Sequence, residues 1–147
     1  MANNRRITIA VKHEIALQAT RVSVGEKKLV YVLCAERRIK YPGGASRILY
    51  VGTTKRGIHR IAGSVARRAD DILHLRGVRR FHARIVTCQP RQRVKTWIVL
   101  ERALLLEFRK RFGTPPKCNT HGKKMRERDE FEYFRRKRIA AIIDDLS

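Results

Sequence analysis

Two apolar runs, each with a central tyrosine, precede any helical pattern in this chain, and that order sets the architecture. Leu29-Val30-Tyr31-Val32-Leu33 and Ile48-Leu49-Tyr50-Val51-Gly52 are bounded by polar or turn residues and have the length and β-branched content of strands. With no helix between them they form a hairpin. The segment between them, Glu36 to Ser46, carries Arg37, Arg38 and Lys40 ahead of the turn signal Pro42-Gly43-Gly44. It predicts a basic hairpin loop longer than a minimal turn needs.

From Lys55 to about Asp70, Ile58, Ile61, Ala62, Val65 and Ala69 recur at three- and four-residue spacing and draw one stripe along a helix. Arg56, Arg60 and Arg67 project from the opposite face, which composition alone reads as solvated. Phe81 to Cys88 predicts a third strand, and Gln89-Pro90 ends it. Thr96 to Phe112 has the leucine and alanine content of a mostly buried helix, stopped by Gly113, Pro115 and Pro116. Beyond Lys123 a last helix carries Phe131, Phe134, Ile139, Ile142 and Leu146, with Arg135, Arg136, Lys137 and Arg138 clustered among them. Such a helix packs on the core, presents a basic edge to DNA, or does both. The first 28 residues hold the runs Ile7 to Val11 and Val22 to Val24 around a helical turn near Glu14 to Ala19.

Strand, strand, helix, strand, helix gives an α+β fold, a small mixed or antiparallel sheet flanked by helices, rather than a doubly wound one. At 147 residues one domain is expected, with its core at about 29–119, an N-terminal extension over 1–28 and a basic C-terminal helix over about 123–147.

Thirty-five Lys and Arg against 13 Asp and Glu leave a net charge of +22, which calls for a polyanionic partner. Nucleic acid leads. A membrane surface would attract the same charge, but the longest apolar run is far short of a span, and Met1 to Arg6 lacks the apolar segment that export requires. Cys34, Cys88 and Cys118 are odd in number and widely separated, which suits neither a disulfide framework nor a zinc site. The expectation is an intracellular, cytoplasmic protein, held at the nucleoid by DNA.

Hydrolysing a phosphodiester takes an aimed nucleophile, a cation for the charge that develops on phosphorus, and usually a metal on the leaving side. Tyr31 and Tyr50, on neighbouring strands, could bring their phenol oxygens together, and Lys55, Arg56 and Arg60 could supply the positive charge that a phenolic base needs. One carboxylate with waters and substrate phosphate suffices to hold Mg²⁺. Two glutamates compete for that role. On a helical wheel Glu101 sits more squarely than Glu107 among Trp97, Leu104, Leu105, Phe108 and Phe112. A carboxylate among apolar side chains must find a cation or a donor, so one of the two is open to reading as a structural ion pair, and residue physics leaves the choice open.

The tract Tyr50-Val51-Gly52-Thr53-Thr54-Lys55-Arg56-Gly57-Ile58-His59-Arg60, and Ala103-Leu104-Leu105-Leu106-Glu107 followed at twelve residues by Asn119 after Pro116, resemble the GIY-YIG nuclease family. The motif spacing is most similar to that of the incision domain of bacterial nucleotide-excision repair. Several motifs in order over Leu29 to Asn119 carry the resemblance. Leu29-Val30-Tyr31 replaces the name-giving tripeptide, Cys118 stands where a tyrosine is common, and Lys110 and Arg111 replace apolar residues. The resemblance implies that Tyr31 or Tyr50 is the general base, that Arg60 contacts the phosphate, that Glu107 rather than Glu101 binds one Mg²⁺ or Mn²⁺ per active site, and that Asn119 braces the site. His59 is an auxiliary candidate for proton transfer, although a lone histidine on a basic helix is more often a surface residue.

The reaction so implied is metal-dependent hydrolysis of DNA, double-stranded by preference, with Arg37, Arg38, Lys40, Lys55, Arg56, Arg67, Lys123, Lys124, Arg135 and Arg136 along the nucleic-acid face. Cutting both strands with one site per chain would favour a homodimer. The competing class is a non-catalytic basic nucleic-acid-binding protein, which needs the charge but gains nothing from an acidic group near its binding face. Restriction, mobile-element and repair roles all fit the same residues.

Overall fold

A computed structural model of the chain describes residues 7–20, 22, 24–119 and 130–147. β1 (Leu29–Tyr41) and β2 (Gly44–Thr54) form a long hairpin, α1 covers Ile58–Leu73, β3 covers Phe81–Val86, α2 covers Thr96–Phe112, and α3 covers Arg136–Leu146. The sheet is antiparallel in the order β2-β1-β3, so the fold is α+β, as the element order implied. Among the described residues no helix is long and apolar enough to cross a membrane.

β1 is central and must be apolar on both faces. Leu29 to Ala35 are accordingly all buried, at 3 % exposure or less. Beyond Ala35 the strand carries charge, which is why the sequence suggested a loop from Glu36 to Ser46. That expectation is corrected. Ile39 and Tyr41 point inward while Arg38 and Lys40 point out, a period-two strand that persists to a tight turn at Pro42 and Gly43. Register shifts between Leu33 and Ile39 absorb the extra residues.

The turn is pressed against the end of α2. Gly43 donates its N–H to the Phe112 carbonyl at 3.0 Å. A Cβ on Gly43 would meet the Arg111 carbonyl oxygen at 2.6 Å, so no larger residue fits there without moving backbone. Tyr41 stacks edge-on to Phe108 at 5.0 Å between ring centroids, and Phe108 packs on Phe112 at 4.6 Å. These rings lock the hairpin to α2.

α1 begins at Ile58, three residues later than the sequence stripe suggested, and buries Ile61 and Ile72 while Ala62 is exposed. β3 ends at Val86, two residues before the expected Cys88. α3 buries Ile139, Ile143 and Leu146 and leaves Arg135 to Arg138 exposed. It is fastened at its end, where the Ser147 carbonyl accepts the Arg47 N–H at 3.3 Å and Arg38 Nε at 3.0 Å. Arg111 of α2 bridges Asp144 of α3 and Glu107 of its own helix. The helical turn expected near Glu14 to Ala19 is not formed. Residues 7–20 have no regular structure, and Ile7, Ile9, Val11, Ile15 and Leu17 are exposed, leaving a helix there no core to pack on. Lys123 and Lys124 lie outside the described residues.

The Tyr41 hydroxyl donates to the Ile48 carbonyl at 2.7 Å and accepts the Lys117 N–H at 3.1 Å. Tyr41→Phe orphans both groups and is expected to destabilise the protein by about 1–3 kcal/mol, read as a lower urea midpoint at unchanged slope.

Candidate active site

Tyr31 lies directly across from Gly52, and Tyr50 lies two residues before Gly52 on the same strand. The period of two therefore puts both phenols on one face of the sheet. Their ring centroids are 5.8 Å apart at 42°. The rings meet over the glycine itself. A Cβ at Gly52 would stand 2.5 Å from Tyr50 Cε1 and 2.9 Å from Tyr31 Cζ, so the bare backbone is what lets the pair close.

Arg68 on α1 completes the near side. Its guanidinium lies 3.8 Å from the Tyr50 ring centroid, and Nη2 donates to the Tyr50 hydroxyl at 2.9 Å. Such a stacked arginine fixes the phenol in place and carries charge to it. The sequence singled out Arg56, Arg60 and Arg67, all exposed, and missed Arg68. The signal was there, since Arg68 follows Ile61 by seven residues and precedes Ile72 by four, at the border of the apolar stripe. Arg60 stands two turns before Arg68 on the same flank of α1, while His59 lies on another flank, exposed.

Of the two candidate glutamates, Glu101 is the one that acts on Tyr50, as the weakest of several influences on that phenol. The two are six residues apart on one helix and so differ by about 120° in direction. Glu101 is 3 % exposed, and its carboxylate acts on Tyr50 electrostatically. Glu107 is paired instead with Arg111 of its own helix, 3.4 Å from its Oε1, and Arg111 in turn bridges to Asp144 of α3. Glu101 thus takes the buried place its wheel position gave it, while Glu107 pairs with Arg111. One turn before Glu101, the buried Trp97 indole N–H has no acceptor among the described residues, and Lys28 Nζ sits 4.7 Å from the ring centroid.

Asn119 works as a strand substitute. β2 pairs with β1 on one side only, and on its open edge the Asn119 side chain accepts the Val51 N–H at 3.0 Å and donates to the Val51 carbonyl at 2.9 Å. The Cys118 N–H adds a bond to the Leu49 carbonyl at 2.9 Å. Val51 lies between Tyr50 and Gly52, so the asparagine steadies the stretch that carries the pair. Lys55 and Arg56 are exposed just after β2, and Arg37, Arg38 and Lys40 on the far half of β1. The Arg67 guanidinium reaches Ser64, and that of Arg136 lies over Phe131. None of these charges enters the tyrosine cluster.

Burial raises the Tyr50 pKa to about 12, helped by the neighbouring Tyr31 phenol and the Glu101 carboxylate and offset in part by Arg68. Of these groups the Glu101 carboxylate is the hard anionic oxygen donor, the kind that holds Mg²⁺ together with water and phosphate oxygens. Among the described residues no three His, Cys, Asp or Glu side chains gather as a cage.

No family model, curated protein or solved structure matches this chain.

Two outcomes test the cluster. Gly52→Ala should push the rings apart, break the Arg68 contact and cost about 1–3 kcal/mol in thermal unfolding. In a phenolate absorbance titration, the signal missing from Tyr50→Phe should belong to a group ionising near 12 rather than 10. Because the folded value lies above the unfolded one, stability contributed by the Tyr50 proton is complete below pH 10 and lost as pH rises through 12. Unfolding midpoints of the wild type, relative to the variant, should decline over that window.

Proposed function

We propose that the protein is a metal-dependent endonuclease that hydrolyses phosphodiester bonds in double-stranded DNA, similar to the GIY-YIG nucleases. The observation that carries this reading is the closed pair of tyrosines over Gly52, with Arg68 stacked on Tyr50 and the buried Glu101 carboxylate acting on the same phenol.

Glu101 is the residue that would hold one Mg²⁺ or Mn²⁺, and a divalent cation there supplies charge for the leaving oxygen. Arg68, and Arg60 two turns away, neutralise the phosphate. The Tyr50 phenol keeps its proton under ordinary conditions and hydrogen-bonds to Arg68, which suits it to orienting water and phosphate. Tyr31 would then take the general-base role as its phenolate, taking the proton of the attacking water and becoming the neutral phenol as the new P–O bond forms and the leaving oxygen departs. Asn119 keeps the strand between the two tyrosines from shifting, since a misplacement of about 1 Å weakens in-line attack. Lys55, Arg56, Arg67, Arg135 and Arg136 add long-range attraction for the duplex.

Supercoiled plasmid incubated with Mg²⁺, Mn²⁺ or a chelator tests the assignment. The wild type should nick or linearise it only with metal. Glu101→Ala should lose at least about a hundredfold in rate while still binding duplex, and Glu107→Ala should stay within about threefold of wild type. The reverse pattern would restore Glu107 as the metal ligand. Tight binding without cleavage under every condition would put the chain among the basic nucleic-acid-binding proteins.

A further inference from the structure

The pairing of β1 with β3 ends at Ala35 opposite Phe81. Just past that point the Glu36 N–H donates to the Arg80 carbonyl at 3.0 Å, and the two chains part around a cleft of about 550 Å³. Glu36, Arg37, Gly77, Val78, Arg79 and Arg80 line it. Val78 is buried and forms the floor, while Arg37, Arg79 and Arg80 are exposed around it. None of these three arginines forms an ion pair with a carboxylate among the described residues. Glu36 is the one acidic lining residue, one negative charge against three positive.

We propose that this cleft is a second phosphate-binding site, which grips the backbone of duplex DNA away from the tyrosine pair. Three exposed arginines along one open cleft suit phosphate oxygens, which guanidinium groups bind in pairs of hydrogen bonds. Glu36 stands five residues after Tyr31, about 16 Å along β1. At about 3.4 Å of rise per base pair, that span reaches roughly five base pairs from a phosphate at the tyrosines. Only this register rests on the endonuclease reading; the grip on DNA does not.

Affinity for a duplex of about 20 base pairs, measured against salt with a chelator present, tests the cleft. Relative to wild type, Arg37→Ala/Arg79→Ala/Arg80→Ala should give a log–log salt slope shallower by about 2 to 3 and an affinity at least about tenfold weaker at moderate salt. Glu36→Gln should move the other way and tighten binding about two- to fivefold, a gain that a purely structural residue would not give. Coinciding salt slopes for the triple variant, or a neutral Glu36→Gln, would overturn the inference. Plasmid cleavage by the wild type separates this from the function proposed above. Cleavage with a triple-variant slope unchanged removes the cleft and keeps the nuclease. A cleft-dependent slope in a protein that cuts nothing keeps the cleft and removes the nuclease.

Discussion

The site depends on how an edge strand is kept straight. β2 has a strand partner on one side only, and an open edge exposes backbone groups that fray, slide or recruit another chain. Here the Asn119 amide closes both hydrogen bonds of Val51, and the Cys118 N–H closes one at Leu49. Side-chain amides have a donor and an acceptor at the spacing of a peptide group, so one residue does the work of a strand. Tyr50 and Gly52 flank the pinned residue, and the closed tyrosine pair follows from it.

Packing reinforces this geometry from the opposite end of the hairpin. Tyr41, Phe108 and Phe112 bind the far half of β1 to α2, and Gly43 lets the turn touch the end of the same helix. α2 is thus held at its C-terminal end by aromatic contacts and presents Glu101 to the sheet nearer its other end. Removing flexibility from both elements is how a carboxylate on a helix and phenols on strands can meet with a fixed separation. The cluster is also electrically divided. Arg68 favours negative charge on Tyr50, while Glu101, Tyr31 and burial oppose it, and opposition prevails.

Much of the architecture was legible in the residues. α2 runs over Thr96–Phe112 as its composition and the following Gly113 and prolines indicated, and the two tyrosine strands and the α+β class follow from hydrophobic runs in sequence order. What the chain concealed was concealed by charge. Arg37, Arg38 and Lys40 made a strand look like a loop, because an exposed half-strand needs apolar residues only at alternate positions. Arg68 was hidden among four other α1 charges until Tyr50 gave it a partner. Glu101 against Glu107 is the more instructive case. Motif spacing points to one and helical phase to the other, and α2 buries Glu101 while Glu107 pairs with Arg111, because residues six apart on a helix face about 120° apart. Contacts across 18 and 68 residues, such as Tyr50 with Arg68 and Val51 with Asn119, have no local signature at all.

The separation of 68 residues between Val51 and Asn119 also has a kinetic meaning. Hairpin contacts close early because little chain entropy is lost, whereas a bond spanning so long a loop forms only after most of the intervening chain has found its place. During synthesis β1, β2 and α1 emerge well before Asn119 does. The tyrosines can be near each other in that partial chain, yet the strand carrying them has no edge partner. The site is therefore assembled late, and a nascent or prematurely terminated chain carries its parts without the brace that sets them in order.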